Sequence, residues 1–197
     1  NSTEVCSAQE LVDVIPFCSS SSGMQQDAHE FAIKYLDDLQ NDLKGTSQEN
    51  SINELFDGKI KTIFKCKNVD YETSSDQIFK FINLPIEKDT KNLLDCINKY
   101  TCKSELEINT EKYGMQEAES STELENLPPI LQICLQRTGY DTITCRTLKK
   151  EIPLSFKSDF DLVQFTGNEK DEYILYAVLS HKGESDCGHF CVFIRDF

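Results

Sequence analysis

Between Asp171 and Arg195 two apolar runs face each other across a short polar connection, and this pairing constrains the chain more than any other feature. Tyr173, Leu175, Ala177 and Leu179 alternate with Ile174, Tyr176 and Val178, so both faces of the first run are apolar. That is the pattern of a strand buried on both sides. The return run interleaves His189, Cys191 and Phe193 with Phe190, Val192 and Ile194. Gly183, Ser185 and Asp186 between them are turn formers that bring the second strand back antiparallel. Such a ribbon carries His181 and His189, two of the three histidines, at one end. Gly188 has no side chain, so the backbone before His189 is bare enough for a ligand chain to pass close by.

Upstream, helical and extended patterns alternate. Ala8 to Val14 predicts a short helix ended by Pro16, followed by a serine-rich loop over Cys18 to Gly23. From Gln26 to Lys44, Ala28, Phe31, Ala32, Tyr35, Leu36, Leu39 and Leu43 recur at helical spacing. Asp27 stands at the start, where a carboxylate caps free amides, and Gly45 stands where a C-terminal glycine belongs. Ile52 to Phe56 is a helical turn. Gly58 opens a strand in which Ile60, Thr62, Phe64 and Cys66 alternate with lysines. Asn68 to Asp76 is expected as a polar connection, Ile78 to Ile86 as a strand ending near Pro85, and Thr90 to Cys102 as a helix. Lys103 to Asn126 is acidic and weakly patterned, a loop with short strands. Leu127-Pro128-Pro129 introduces a strand with Leu131, Ile133 and Leu135 on one face. Asp141 to Lys149 is a turn region, Ile152 to Phe156 is short and extended, and Val163 to Lys170 links to the ribbon.

Charge narrows the function classes. A net charge of −14 over 197 residues leaves no basic face for a phosphate backbone, which excludes a nucleic-acid partner and favours a basic one. No stretch is long and apolar enough to span a membrane. Nine cysteines form no CxxC pair, and Cys66, Cys134 and Cys191 sit inside apolar strand patterns as small hydrophobes. This is the usage of a reduced, intracellular protein rather than a disulfide scaffold.

Three constellations carry possible chemistry. His189, beside a turn and preceded by glycine, suits a general base, which needs access to its partner and a held orientation; a partly buried, hydrogen-bonded histidine is the plainer reading. Cys187, His189 and Cys191, with His181 across the ribbon, are zinc-compatible types, but side chains two apart on a flat strand diverge. Asp27, His29 and Glu30 form a polar helix start for which capping is the plainer account.

Three motifs together resemble the ubiquitin-specific protease family of papain-like cysteine deubiquitinases. Gln25-Gln26-Asp27-Ala28-His29-Glu30-Phe31 is similar to the family's Gln-Asp-Ala-His-Glu-Phe helix start. Leu127-Pro-Pro-Ile-Leu-Gln-Ile-Cys-Leu-Gln-Arg137 is similar to its Leu-Pro-x-x-Leu…Leu-x-Arg strand. Ala177-Val-Leu-Ser-His181 with Gly188-His189-Phe190 is similar to its terminal histidine box. The resemblance implies an α+β fold: a papain-like core divided into palm and fingers, with most of the thumb missing. As a single partial catalytic domain it assigns 1–45 to the remaining thumb, 52–126 to the fingers and 127–197 to the palm. The implied base is His189. Gln25 and Asp27 would engage the arginine-rich tail of ubiquitin, and Arg137, Tyr140, His181, Gly188 and Phe190 would line the tail channel. Ubiquitin and ubiquitinated proteins are the implied partners, in nucleus or cytoplasm, with no cofactor.

Where relatives hold zinc in the fingers through two CxxC pairs, Cys66 stands alone, Val69 takes its partner's place, and Thr110 and Tyr113 replace the other pair, so fingers without metal are expected. Thr138-Gly139 replaces an aromatic-rich pair, and Phe190 the usual tyrosine. The family's cysteine box, Asn-x-x-x-x-Cys ahead of the first helix, has no match here; Cys6 and Cys18 lack that context. The orienting Asp or Asn is expected beyond Phe197, Asp196 being too close to His189. The implied function is a deubiquitinase fragment lacking its nucleophile and orienting residue. The alternative is a catalytically inactive ubiquitin-binding module.

Overall fold

The computed structural model describes residues 7, 9–15, 27–142, 145–185 and 187–196. The chain separates into two compact units, Asn1–Glu49 and Asn50–Phe197.

In the first unit, α1 is Gln9–Val14 and α2 is Ala28–Asp42. The α2 start is set by Asp27, whose extended backbone lets one carboxylate oxygen accept from the amides of His29 (2.8 Å) and Glu30 (3.0 Å). Two of the four amides left open at a helix start are satisfied in this way. The stripe predicted from periodicity turns inward, with Leu36 buried and Phe31 stacked on Tyr35 one turn later (6.0 Å between rings). Gly45 takes a positive φ of 74° just past the helix, a conformation that a side chain resists. Pro16, the serine-rich loop and Gln25 lie outside the described residues.

The second unit opens with α3, Ser51–Phe56, and a four-stranded antiparallel sheet follows. Its strands are β1 (Gly58–Cys66), β2 (Glu72–Phe79), β4 (Ser104–Thr110) and β5 (Gly114–Asn126), in the order β2-β1-β5-β4. Two sequence-based expectations are corrected here. The polar stretch 68–76 is half strand: Glu72 to Asp76 pairs with Lys61 to Lys65. The acidic stretch 103–126 is a long hairpin, β4 paired with the Gly114 to Ser120 half of a thirteen-residue β5. Backbone ladders need no apolar side chains, so β1 recruits polar strands on both edges. Their glutamates face water while Ala118 and Leu124 turn inward.

Ile78 to Ile86 is not one strand either. It breaks at Lys80, after which β3 (Phe81–Pro85) leaves the sheet and pairs in parallel with β6 (Gln132–Gln136). At the break the Lys80 ammonium lies 2.7 Å from Asp57, both side chains mostly buried, so a charge inside an apolar run fixes the corner. Helix α4 (Leu93–Thr101) begins with a reciprocal cap. Asn92 accepts from the Asp95 amide at 3.0 Å, and the Asp95 carboxylate accepts from the amides of Lys91 and Asn92.

The core gathers where these pieces meet. Leu84, Ile86, Cys96 and Leu162 are almost wholly buried, packed with Ile60, Phe79, Ile82, Ile97, Leu124 and Leu127. Leu131, Ile133 and Leu135 pack against this cluster from one face of β6, as their spacing predicts. Beyond β6, β7 (Thr138–Asp141) and β8 (Arg146–Lys149) form a hairpin where only a turn was expected, while Ile152 to Phe156 carries a single bridge, Ser155 to Asn92. A short β9 (Asp159–Asp161) pairs with β10 (Glu172–Ile174), flanking helix α5 (Val163–Thr166). The terminal ribbon is β11 (Ala177–Gly183) against β12 (Gly188–Ile194).

The ribbon departs from its predicted form twice. The run from Asp171 is interrupted after Ile174, so β10 and β11 belong to different sheets. Nor is it buried on both faces: Leu179 is 55% exposed, Val192 56% and Phe193 62%. Two-sided apolar alternation shows that a strand tolerates burial. Burial itself needs an opposing layer, and among the described residues β11 and β12 pair only with each other.

Candidate functional site

The register of the ribbon decides which side chains act together. Directly opposed residues of an antiparallel pair share a face, and successive residues alternate. His181 is opposite Phe190, Gly183 opposite Gly188, and Lys182 opposite His189. His181, Gly188 and Phe190 therefore share one face, and His189 projects from the other. The two histidines occupy the same end, as the sequence implied, but back to back.

On the first face, His181 is half-buried and leans on Phe190 with 4.7 Å between ring centres and a tilt of 46°. The space expected above Gly188 is taken by this imidazole. A Cβ built on Gly188 would overlap His181 Nε2 and the carbonyl of Lys182. Glycine at 188 is thus required by the ribbon itself. The neighbouring Gly183 turns the chain with a φ of 119°, where a Cβ would also meet the Cys187 carbonyl.

The ribbon end is tied to β8. Lys149 Nζ lies 3.0 Å from His181 Nδ1 and donates to the carbonyls of His181 (3.1 Å) and Gly183 (2.7 Å). Ser185 adds a hydroxyl bond to the Thr147 carbonyl at 3.2 Å. Sequence reasoning missed Lys149. It reaches its partners across 32 residues, and no local spacing marks a lysine at a hairpin edge as a clip for a distant turn.

The remaining candidate residues are dispersed. His189 is exposed on the second face. Tyr140, on β7, is 65% exposed. Arg137 works structurally: its Nη1 donates to the carbonyls of Ile152 (2.8 Å) and Lys150 (3.3 Å), while its own carbonyl accepts from the Lys150 amide. Asp27, in the first unit, uses Oδ1 for both capping bonds. The capping reading of the Asp27, His29 and Glu30 group thus holds.

Among the described residues no group of three or more His, Cys, Asp or Glu side chains is placed to hold a metal ion. Where the finger cysteines of relatives were expected to be replaced, the Thr110 hydroxyl bridges the Gly114 carbonyl and the Tyr113 amide (3.0 Å each), and Tyr113 meets Tyr71 edge-on at 6.5 Å. Cys66 and Cys96 are buried thiols, and burial pushes the Cys96 thiol up from its ordinary value. No described helix is long and apolar enough to cross a membrane.

Comparison with known proteins identifies a family. The family model for ubiquitin carboxyl-terminal hydrolases matches residues 1–197. Ubiquitin carboxyl-terminal hydrolase 7 of Drosophila melanogaster is 36% identical over 181 residues, covering 88% of this chain and 16% of the relative. Ubiquitin carboxyl-terminal hydrolase 5 of Schizosaccharomyces pombe is 33% identical over 201 residues, 98% of this chain and 18% of the relative. Ubiquitin C-terminal hydrolase 12 of Arabidopsis thaliana is 29% identical over 208 residues, again 18% of the relative. The chain thus spans less than a fifth of the length of these curated relatives.

Proposed function

This chain belongs to the ubiquitin carboxyl-terminal hydrolase family, and we propose that it supplies the palm and fingers of a thiol-dependent deubiquitinase that hydrolyses peptide and isopeptide bonds at the ubiquitin C-terminus. His189 is the base in this reading. A thiol with a reference pKa of ~8.5 is mostly protonated at neutral pH, so a neighbouring imidazole must take its proton before sulfur attacks the carbonyl. The same imidazole, now charged, returns the proton to the leaving amine. The nucleophilic cysteine and the group that orients His189 come from outside these 197 residues, because no cysteine here has the family's cysteine-box context. Gln25 and Asp27 pair with arginines of the ubiquitin tail. Arg137, Tyr140, His181, Gly188 and Phe190 line its path. Ubiquitinated proteins are the substrates, in the nucleus or cytoplasm, with no cofactor or metal.

The observation that carries this reading is the exposed His189 at the turn end of a ribbon whose opposite face carries Gly188 beneath the His181 ring, itself backed by Phe190. The same placement serves a catalytically inactive ubiquitin-binding module; the two readings share the binding surface.

Titrating the chain with ubiquitin and following amide resonances tests both. Shifts are expected at Tyr140, His181, Gly188 and Phe190, and their absence overturns the assignment. Asp27→Asn keeps an oxygen for the cap but removes the charge. It is expected to weaken ubiquitin binding about tenfold with the melting temperature unchanged. The chain alone is expected to release no fluorophore from a ubiquitin–fluorophore conjugate, and any turnover would place a nucleophile within it.

A further inference from the structure

Lys149 offers three hydrogens and no lone pair, and three acceptors surround it: His181 Nδ1 and the carbonyls of His181 and Gly183. An ammonium cannot accept, so Nδ1 must turn its lone pair toward Nζ. The ring proton then sits on Nε2. That edge of the imidazole lies over Gly188, in the space a Cβ would fill, and Phe190 backs the ring at 4.7 Å. Three independent constraints therefore converge on one ring: a cation that selects the tautomer, a glycine that admits the Nε2 edge, and an aromatic plane that sets the tilt.

We propose that Lys149 is a positioning residue, holding His181 as the Nε2–H tautomer so that the ribbon presents a hydrogen-bond donor beside Gly188, suited to a backbone carbonyl of an extended peptide. A donor at this point pairs with a main-chain oxygen whatever the adjoining side chains are. The opposite tautomer would instead present a lone pair, which repels a carbonyl. The peptide meant is the ubiquitin C-terminal tail, so the identity of the occupant, though not the tautomer, rests on the function proposed above. Because the same ammonium also holds the His181 and Gly183 carbonyls, it fixes the turn into β12 and with it the starting point of His189.

The test uses the chain with its histidines labelled with nitrogen-15. Only three histidines contribute, and the loss of one set of signals in His181→Gln assigns the ring. In the wild-type chain the His181 Nε2 signal is expected far upfield, as a protonated nitrogen, and Nδ1 far downfield, as a bare one. Lys149→Met is expected to bring the two signals together as the ring samples both tautomers. Lys149→Arg, which still donates, is expected to restore the separation. A proton on Nδ1 in the wild-type chain overturns the proposal without any variant having to fold, and so does an unchanged pattern in a folded Lys149→Met chain.

Ubiquitin titration forms a separate arm. Binding weakened about tenfold in Lys149→Met and recovered in Lys149→Arg supports the donor role. Equal binding by wild type and Lys149→Met overturns that role. If even the wild-type chain fails to bind ubiquitin, the tail assignment falls while the tautomer measurement still decides what Lys149 does.

Discussion

Gly58 and Gly188 are glycines for the same reason, and neither reason can be read from local pattern. A Cβ on Gly58 would overlap the ring of Phe79, its cross-strand partner, just as one on Gly188 would overlap His181. Gly58→Ala is therefore expected to destabilise the chain by about 1–3 kcal/mol, the usual range for forcing a methyl group into packed space. Urea denaturation would measure it; no change would mean that the Phe79 ring swings aside freely. Tyr173 makes a second prediction at this scale. Its hydroxyl donates to the Pro128 carbonyl at 2.8 Å, and burial, aided by the negative charge of Asp171, pushes its pKa up to about 12. An unfolded tyrosine ionises near ~10, so the folded state favours the neutral phenol. The resulting stability is fully present below that value and lost as pH rises through about 12. Tyr173→Phe is expected to cost about 1 kcal/mol at neutral pH and to flatten the alkaline limb of the stability curve between those two values.

At the scale of elements, ends proved more legible than edges. The start of α2 reads directly from Asp27, whereas that of α4, expected at Thr90, falls at Leu93 behind the Asn92–Asp95 pair; both caps are local bonds between residues two to four apart. The Asp95 carboxyl is held below the usual carboxylate range, chiefly by the Lys91 amide and also by that of Asn92. A depressed carboxyl stabilises above its unfolded value and loses that contribution as pH falls through the folded one. Asp95→Asn is accordingly expected to lower the melting temperature at pH 7 and to make unfolding below about pH 4 less steep than in the wild-type chain. Parallel acid titrations would expose the opposite outcome, identical limbs. Strand edges behaved otherwise. Glu72 to Asp76 and Gly114 to Asn126 became strands because β1 had two open edges to satisfy, and Ser104 to Thr110 pairs in turn with β5, a reason that resides in the partner strand and not in the polar residues recruited.

At the scale of the whole molecule, the core of the second unit is where distant stretches settle one another. Leu84 from β3, Cys96 and Ile97 from α4, Leu124 from β5 and Leu162 ahead of α5 meet in one cluster. Leu84→Ala, at a site 1% exposed, is expected to cost about 2–5 kcal/mol and to loosen β3 and β6 together, which hydrogen exchange would report as joint loss of protection. Exchange confined to β3 would show that the parallel pair does not unfold as one piece.

By itself the sequence determined α2 with its Asp27 cap, the body of α4, the inward face of β6, the turn into the terminal ribbon, and the family motifs around Asp27, Arg137 and His189. These depend on spacings of a few residues, which chain geometry converts directly into shared faces. Only the tertiary structure decided that the ribbon's two histidines stand back to back, that β3 leaves one sheet for another at Lys80, that the ribbon faces stay open, and that Lys149 holds His181. Each of those outcomes turns on register or on contact between residues tens of positions apart, and a one-residue slip in register reverses every side chain it touches.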